Sequence, residues 1–232
     1  MSSRAIVQKI FQEPDSAAGE GKAQTGHLRL IETAPISENR TVTPRRLAGS
    51  EYRDRKHLTP AEVEALYQAA KRYGRYGQRD ALAIWMMYRH GLRVGELCGL
   101  RWTAHVDFSN GTLRVERLKN GVASVQPMDE RTIRGLRRLQ REGEGRYVFI
   151  NERGQPMTDM GVRKMLRRVA ATVPALAGLA IHPHMLRHST GFALANKGMD
   201  TRSLQHYLGH RHIEHTEIYT AMAADRFDRV WD

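Results

Sequence analysis

Residues 106–126 differ in hydrophobic period from the rest of this 232-residue chain. The segments Val106–Phe108, Thr112–Leu118 and Val122–Gln126 have the alternating pattern of short strands. Asn110-Gly111 and Lys119-Asn120-Gly121, which separate them, are typical of tight antiparallel turns. The sequence therefore predicts a small three-stranded antiparallel sheet.

The segments on both sides of this sheet have helical patterns. Thr59-Pro60-Ala61-Glu62 combines an N-cap threonine, a proline at the first helical position and a capping-box glutamate, so a helix is expected to about Tyr73. Gly91 suits the end of an apolar helix over about 79–90, and a short helix follows it. Further helices are predicted at about 129–142, 159–172, 183–197, 201–207 and 212–222, with an extra strand at Tyr147–Ile150. The predicted fold class is α+β and mainly helical.

Two regions are predicted along the chain. Residues 1–56 are rich in Ser, Thr, Gly, Glu and Pro and lack an apolar period, which predicts a flexible extension. Its last part, 40–56, contains six basic residues and two acidic ones. This part is either simply solvated or an arm that contacts DNA phosphates. Residues 57–232 have a normal size for one domain.

The overall charge indicates a polyanionic partner. Lys and Arg number 37 against 25 Asp and Glu, which gives a net charge of +12. Nucleic acid is the commonest partner of such a chain. We expect a soluble intracellular protein, because no apolar run approaches the roughly 18 residues of a membrane span and no signal-peptide pattern opens the chain. Cys98 is the only cysteine, and its apolar neighbours predict that it is packed.

Four polar residues of complementary chemistry follow one another between positions 184 and 219: His184, Arg187, His210 and Tyr219. A phenol with a pKa near 10 is ionised in only about one molecule in a thousand at pH 7. Guanidinium groups that bind a phosphate would stabilise a nearby phenolate, and an imidazole can carry the proton away. Each residue alone has an ordinary explanation as a surface pair or a core residue, but together they predict attack on a phosphodiester.

Metal binding is the main alternative for the histidines. Seven of the eleven lie between positions 182 and 215, and the pairs His184/His188 and His206/His210 have the spacing of helical zinc ligands. The glutamate of an HExxH motif and a thiolate pair are both missing from the sequence. We therefore expect neither a metal nor another cofactor.

Taken together, these residues resemble the catalytic domain of tyrosine recombinases, the integrase family of DNA breaking and joining enzymes. The resemblance extends over almost all of residues 57–232. The matching features are the first arginine box at 90–102 with Arg93, the hairpin lysine Lys119, the His-x-x-Arg box with His184 and Arg187, the last histidine His210 and the nucleophile Tyr219. Within the family the chain resembles the small fimbrial phase-variation recombinases, through residues 182–189, 200–202, 207–211, 226–227 and Trp231.

The resemblance implies a role for each of these residues. Arg93 and Arg187 would bind the scissile phosphate, and Tyr219 would attack it to give a 3′-phosphotyrosyl intermediate and a free 5′-hydroxyl. His184 would accept the phenolic proton, Lys119 would protonate the leaving oxygen and His210 would be a further phosphate ligand. The covalent link retains the energy of the phosphodiester, so the reaction requires neither ATP nor metal.

The resemblance also implies partners. They are double-stranded DNA with inverted-repeat recombination sites, three further copies of the chain in a tetramer on synapsed DNA, and accessory DNA-bending proteins. The expected location is the cytoplasm, at the nucleoid. Inversion, integration and excision stay open, and so do two other functions: a monomeric type IB topoisomerase-like enzyme and a DNA-binding regulator without catalysis.

Three parts of the sequence are compared with the usual pattern of the family: the N-terminal region, the segment after Trp102 and the C-terminal segment. Residues 1–56 are too few for the core-binding domain that most members have. Ala104 lies near the place of the acidic residue that usually follows Trp102, and Asp107 lies further on. Phe227, Val230 and Trp231 would share one helical face that packs either on its own domain or on a neighbouring subunit.

Overall fold

A computed structural model describes residues 56–118, 121–143 and 145–221. Before and within the sheet the elements are α1 (Pro60–Arg72), α2 (Gly77–Arg89), α3 (Val94–Cys98), α4 (Trp102–His105), β1 (Val106–Asp107), β2 (Thr112–Val115) and β3 (Ser124–Pro127). After the sheet come α5 (Glu130–Glu142), α6 (Asp159–Ala170), a 3-10 turn (Pro174–Leu176), α7 (Pro183–Ala195), α8 (Thr201–Leu208) and α9 (Glu214–Ala221). The α+β prediction is confirmed.

Helix α2 lies at the centre of the core. It packs against α1, α5 and α7, and Ile84, Met86 and Met87 are completely buried. The capping box predicted for α1 is present, since Thr59 Oγ1 accepts a hydrogen bond from the Glu62 amide and Glu62 Oε2 accepts one from the Thr59 amide. Cys98 packs against this core, where burial raises the pKa of its thiol to about 11.

The three strands form an antiparallel sheet in the order β1-β2-β3. Leu113 lies opposite Val106 on one side and opposite Gln126 on the other. Leu113 and Val115 are buried in the core, while Gln126 is buried where β3 packs against α8. The predicted sheet is confirmed, although β2 ends at Val115 and β3 begins at Ser124.

The strand predicted at Tyr147–Ile150 is wrong. The segment makes isolated bridges at its two ends, one between Arg101 and Tyr147 and one between Ile150 and Pro156. The neighbouring side chains Val148 and Phe149 are both buried, so the faces do not alternate as they would in a half-buried strand. Helix α4 and the 3-10 turn were not predicted because each is too short to show a period.

Several predictions concern residues outside the described ranges. They are the extension over 1–55, Lys119 in the β2–β3 connection, and the C-terminal face over 222–232. The described residues do not test these predictions. Within the described ranges, no helix is both long enough and apolar enough to cross a membrane.

Candidate active site

Arg93 is fixed at the start of α3 by Glu96. The Arg93 guanidinium donates to Glu96 Oε1 at 2.8 Å and to the Leu118 carbonyl at 3.3 Å, and the Arg93 amide donates to Glu96 Oε2 at 2.9 Å. The Arg93 side chain remains 25% exposed, whereas Glu96 is 1% exposed. Burial alone would raise the pKa of Glu96, but the charge of Arg117 and the hydrogen bonds from Arg93 lower the pKa below its usual value. Glu96 is therefore an ionised anchor.

Arg187 connects the first arginine box to the turn before His210. Its Nη1 donates to the Gly91 carbonyl at 2.6 Å and its Nη2 donates to the Leu208 carbonyl at 2.5 Å. The residue is only 1% exposed. Burial lowers the pKa of Arg187 to about 9, and the positive Arg117 and Arg93 contribute to this decrease. The guanidinium is still charged at neutral pH.

Arg117 makes a second connection between the same two segments, and this role could not be predicted from the sequence. Its Nη1 donates to Glu96 Oε2 at 2.8 Å and to the Gly91 carbonyl at 3.2 Å, while its Nη2 donates to the carbonyl of Tyr207. Gln126 Nε2 donates to the same Tyr207 carbonyl at 2.9 Å. The carbonyl end of α8 carries partial negative charge, so it is suited to bind these donors.

Three guanidinium groups thus surround one carboxylate. Burial raises the pKa of Glu96, but Arg117, Arg93 and Arg187 all lower it, so Glu96 is the negative group among them. The described part of this cluster has an excess of positive charge in a partly buried position. Such a cluster attracts an anion of phosphate type.

Tyr219 is buried on α9. It is 2% exposed, and its ring packs edge-on against Phe192 with 5.1 Å between centroids. Gly191 in α7 lies directly under the ring, because a Cβ added there would be 2.7 Å from three ring atoms of Tyr219. Burial raises the pKa of Tyr219 to about 12, although the charge of Arg187 acts in the opposite direction. The phenol is neutral at pH 7.

The hydrogen bond of the Tyr219 hydroxyl is made with His188. The distance between His188 Nδ1 and Tyr219 Oη is 2.8 Å. Burial lowers the pKa of His188 to about 4, and the neighbouring His184 and Arg187 lower it as well. In the sequence His188 stood out only as one half of a zinc-like pair, so its contact with Tyr219 was not predicted. The i,i+4 spacing on α7 was the available signal.

His184 and His210 lie on either side of this pair. The His184 ring packs edge-on against the His188 ring at 4.4 Å between centroids, and the His184 side chain is exposed. The His210 ring is stacked on Tyr219 at 6.3 Å, and its Nδ1 is 2.9 Å from Thr216 Oγ1. Partial burial of each imidazole and then the charge of Arg187 lower the pKa of both histidines, that of His210 to about 3. Both imidazoles are neutral at pH 7.

The structure therefore brings together five of the six residues singled out in the sequence: Arg93, His184, Arg187, His210 and Tyr219. Lys119 lies outside the described residues, but the preceding Leu118 donates its amide to Glu96 Oε1 at 3.2 Å. Across 56–118, 121–143 and 145–221, no group of three or more His, Cys, Asp or Glu side chains is arranged to hold a metal ion.

Comparison with known proteins identifies the family of this chain. The family model described as "Phage integrase family" matches residues 56–226. Type 1 fimbriae regulatory protein FimE of Escherichia coli K12 is 40% identical over 187 residues, covering 77% of this chain and 91% of FimE. Type 1 fimbriae regulatory protein FimB of the same strain is 38% identical over 186 residues, covering 77% of this chain and 90% of FimB.

A solved structure of the Tn1549 transposon integrase with circular intermediate DNA has the same fold. Its TM-score is 0.62 at 27% identity, over 76% of this chain and 64% of the integrase chain. The family match covers well over half of the sequence, so the chain belongs to the phage integrase family. It is a tyrosine recombinase, an enzyme of site-specific DNA recombination.

Proposed function

We propose that Tyr219 is the nucleophile of this recombinase and that it cleaves and rejoins DNA through a 3′-phosphotyrosyl intermediate. The observation that carries the proposal is the position of Tyr219. Its hydroxyl bonds a histidine on α7, the helix that also carries Arg187, and the charge of Arg187 acts on the phenol. A positive group beside a phenol favours the phenolate that the attack requires.

Arg187 and Arg93 would bind the scissile phosphate. Each terminal nitrogen of a guanidinium carries two hydrogens, so the two backbone bonds of Arg187 leave further N–H donors for phosphate oxygens. Arg93 is held by Glu96 yet keeps a quarter of its side chain exposed. Donors fixed in advance stabilise the charge that develops at phosphorus without reorganisation during the reaction.

His210, His184 and Lys119 would complete the site. Neutral His210 can donate an N–H to the phosphate, since its ring lies against Tyr219. His184 stands at the exposed side of α7, where it can reach DNA. Lys119, in the connection between β2 and β3, would protonate the leaving 5′-oxygen. A DNA 5′-hydroxyl that attacks the phosphotyrosyl bond then reverses the step, and a hydroxyl from a second site completes strand exchange.

For the biological reaction we propose inversion of a DNA segment between inverted repeats by a tetramer, assisted by DNA-bending proteins. The similarity to two regulators of type 1 fimbriae supports inversion over integration or excision. The net charge of +12 supports contact with DNA beyond the scissile phosphate. On this proposal the protein acts in the cytoplasm, at the nucleoid.

A nicked suicide substrate tests the nucleophile. The full-length protein should become trapped on this DNA, and Tyr219→Phe should abolish trapping while binding in a gel-shift assay is unchanged. Tyr207→Phe is the matched control, because Tyr207 is a partly buried tyrosine near the site and its hydroxyl donates to the Arg89 carbonyl at 2.8 Å. Trapping by Tyr219→Phe, or its loss only in Tyr207→Phe, contradicts the proposal.

A two-site plasmid separates recombination from topoisomerase-like relaxation. We expect inversion of the segment between the sites, which restriction mapping detects. Relaxation of supercoils at one isolated site, with no rearrangement on the two-site plasmid, would favour the topoisomerase alternative.

A further inference from the structure

His188 is placed to take part in the chemistry of Tyr219. It lies one helical turn after His184 on α7, and its Nδ1 is 2.8 Å from the Tyr219 hydroxyl oxygen. The resemblance to the family gives the phenolic proton to His184. The His184 ring, however, contacts the ring of His188, so that His188 stands between His184 and the nucleophile in this chain of contacts.

The direction of the His188–Tyr219 hydrogen bond follows from the burial of the phenol. A buried hydroxyl hydrogen needs an acceptor, and His188 Nδ1 is the group bonded to this hydroxyl in the described part of the chain. A neutral imidazole offers one acceptor nitrogen and one N–H. With its hydrogen on Nε2, His188 accepts the bond from Tyr219 and satisfies the phenol.

We propose that His188 is a catalytic residue of this enzyme, the group that accepts the phenolic proton while Tyr219 attacks phosphorus. The inference rests on the proposed function, since it presupposes that Tyr219 is the nucleophile. In this step the O–H bond of Tyr219 breaks and a bond from its oxygen to phosphorus forms. The proton moves to Nδ1 of His188. The bond from phosphorus to the 5′-oxygen breaks with its electron pair on that oxygen, which takes a proton from Lys119.

The surroundings explain why transfer waits for the substrate. Without DNA the pKa of Tyr219 is raised to about 12 by burial and that of His188 is lowered to about 4, first by burial and then by His184 and Arg187, so the proton stays on the phenol. A bound phosphate places negative charge beside these positive and neutral groups, which favours the imidazolium. Formation of the bond to phosphorus acidifies the phenol at the same time.

An acidic tyrosine analogue distinguishes a proton acceptor from a structural contact. His188→Asn retains a hydrogen-bonding group but cannot take a proton at neutral pH. In the full-length protein this variant should slow single-turnover cleavage about 10²- to 10⁴-fold. Replacing Tyr219 with 3,5-difluorotyrosine should then restore much of the rate, because a more acidic phenol depends less on a base for the loss of its proton. His184→Asn is the matched control on the same helix, and its loss of rate should persist with the analogue.

Three results would overturn the inference. The first is cleavage by His188→Asn at the wild-type rate. The second is failure of difluorotyrosine to restore the cleavage rate of His188→Asn. The third is restoration of the cleavage rate of His184→Asn by the analogue. Thermal unfolding and DNA binding are measured for each variant, and His188→Gln replaces His188→Asn if the latter does not fold. Failure of the proposed function has a different signature, which is covalent complex formation by Tyr219→Phe.

Discussion

Replacement of Gly191 tests how closely the nucleophile is positioned. A Cβ at this position would lie 2.7 Å from Cδ1, Cε1 and Cζ of Tyr219. Carbon atoms in ordinary contact are about 3.5 to 4.0 Å apart, so the ring must retreat by about 1 Å in Gly191→Ala. A misplacement of about 1 Å can cost about 100-fold in rate. We therefore expect covalent complex to form about 100-fold more slowly.

The expected effect on stability is small by comparison. Alanine inside a helix is favoured over glycine by about 1 kcal/mol, while overpacking costs about 1 to 3 kcal/mol. Gly135→Ala on α5 is a matched control, because its Cβ would lie 2.7 Å from Leu82 Cδ1 on the interface with α2. This control should lose similar stability and keep its cleavage rate.

The assay is single-turnover cleavage of a nicked suicide substrate at saturating protein, with urea unfolding and gel shifts in parallel. DNA binding and cleavage at the wild-type rate by Gly191→Ala would refute the close positioning of Tyr219. An equal loss of activity in Gly135→Ala would refute it as well, because overpacking alone would then explain the effect.

Three further predictions concern charge, pH and metal. Glu96→Gln should lower the free energy of unfolding by about 3 kcal/mol and slow cleavage, because it leaves buried Arg117 without its carboxylate partner and weakens the anchor of Arg93. For His90, burial lowers the pKa to about 4, so its contribution to stability is present above its ordinary pKa of about 6.5 and is lost as the pH falls toward 4. At pH 4.5 we expect the wild-type protein to have lost about 2 to 3 kcal/mol more in urea unfolding than His90→Gln, because His188 and His210 contribute to the pH dependence of both proteins. Cleavage should continue in EDTA, and loss on chelation with recovery on added zinc would contradict the mechanism.

The parts of the fold that follow from local sequence were predictable. A few neighbouring residues determine each of three features: the capping box of α1, the turn at Gly91 and the alternation in β2. The segment Tyr147–Ile150 was not predictable in this way. Its backbone bonds go to distant residues, such as the one from the Val148 amide to the Leu100 carbonyl, and its apolar run looks like a buried strand.

The candidate site was predictable where residue types come in a recognisable order. The fold brings Arg93, His184, Arg187, His210 and Tyr219 together: Arg187 is bonded to the carbonyls of Gly91 and Leu208, and the rings of His184, His188, Tyr219 and His210 follow one another in contact.

The positions of Arg117 and His188 in the candidate site depend on packing between segments that are distant in the sequence. Arg117 lies in the connection after β2, and it reaches the site only because α8 presents its carbonyl end there. His188 contacts the nucleophile only because Tyr219, a residue 31 positions away, is buried against α7. Apart from the i,i+4 spacing of His184 and His188 on α7, neither contact leaves a pattern in the sequence.

Peptide mapping of the trapped complex tests the central claim most directly. After trypsin digestion, Tyr219 lies in the peptide 212–226 and is its only tyrosine, whereas Tyr207 lies in the peptide 203–211. Mass spectrometry should find the DNA 3′-phosphate attached to the peptide 212–226, with a free 5′-hydroxyl on the other DNA end. An adduct on the peptide 203–211, or a 5′-phosphate link on any peptide, would contradict the account.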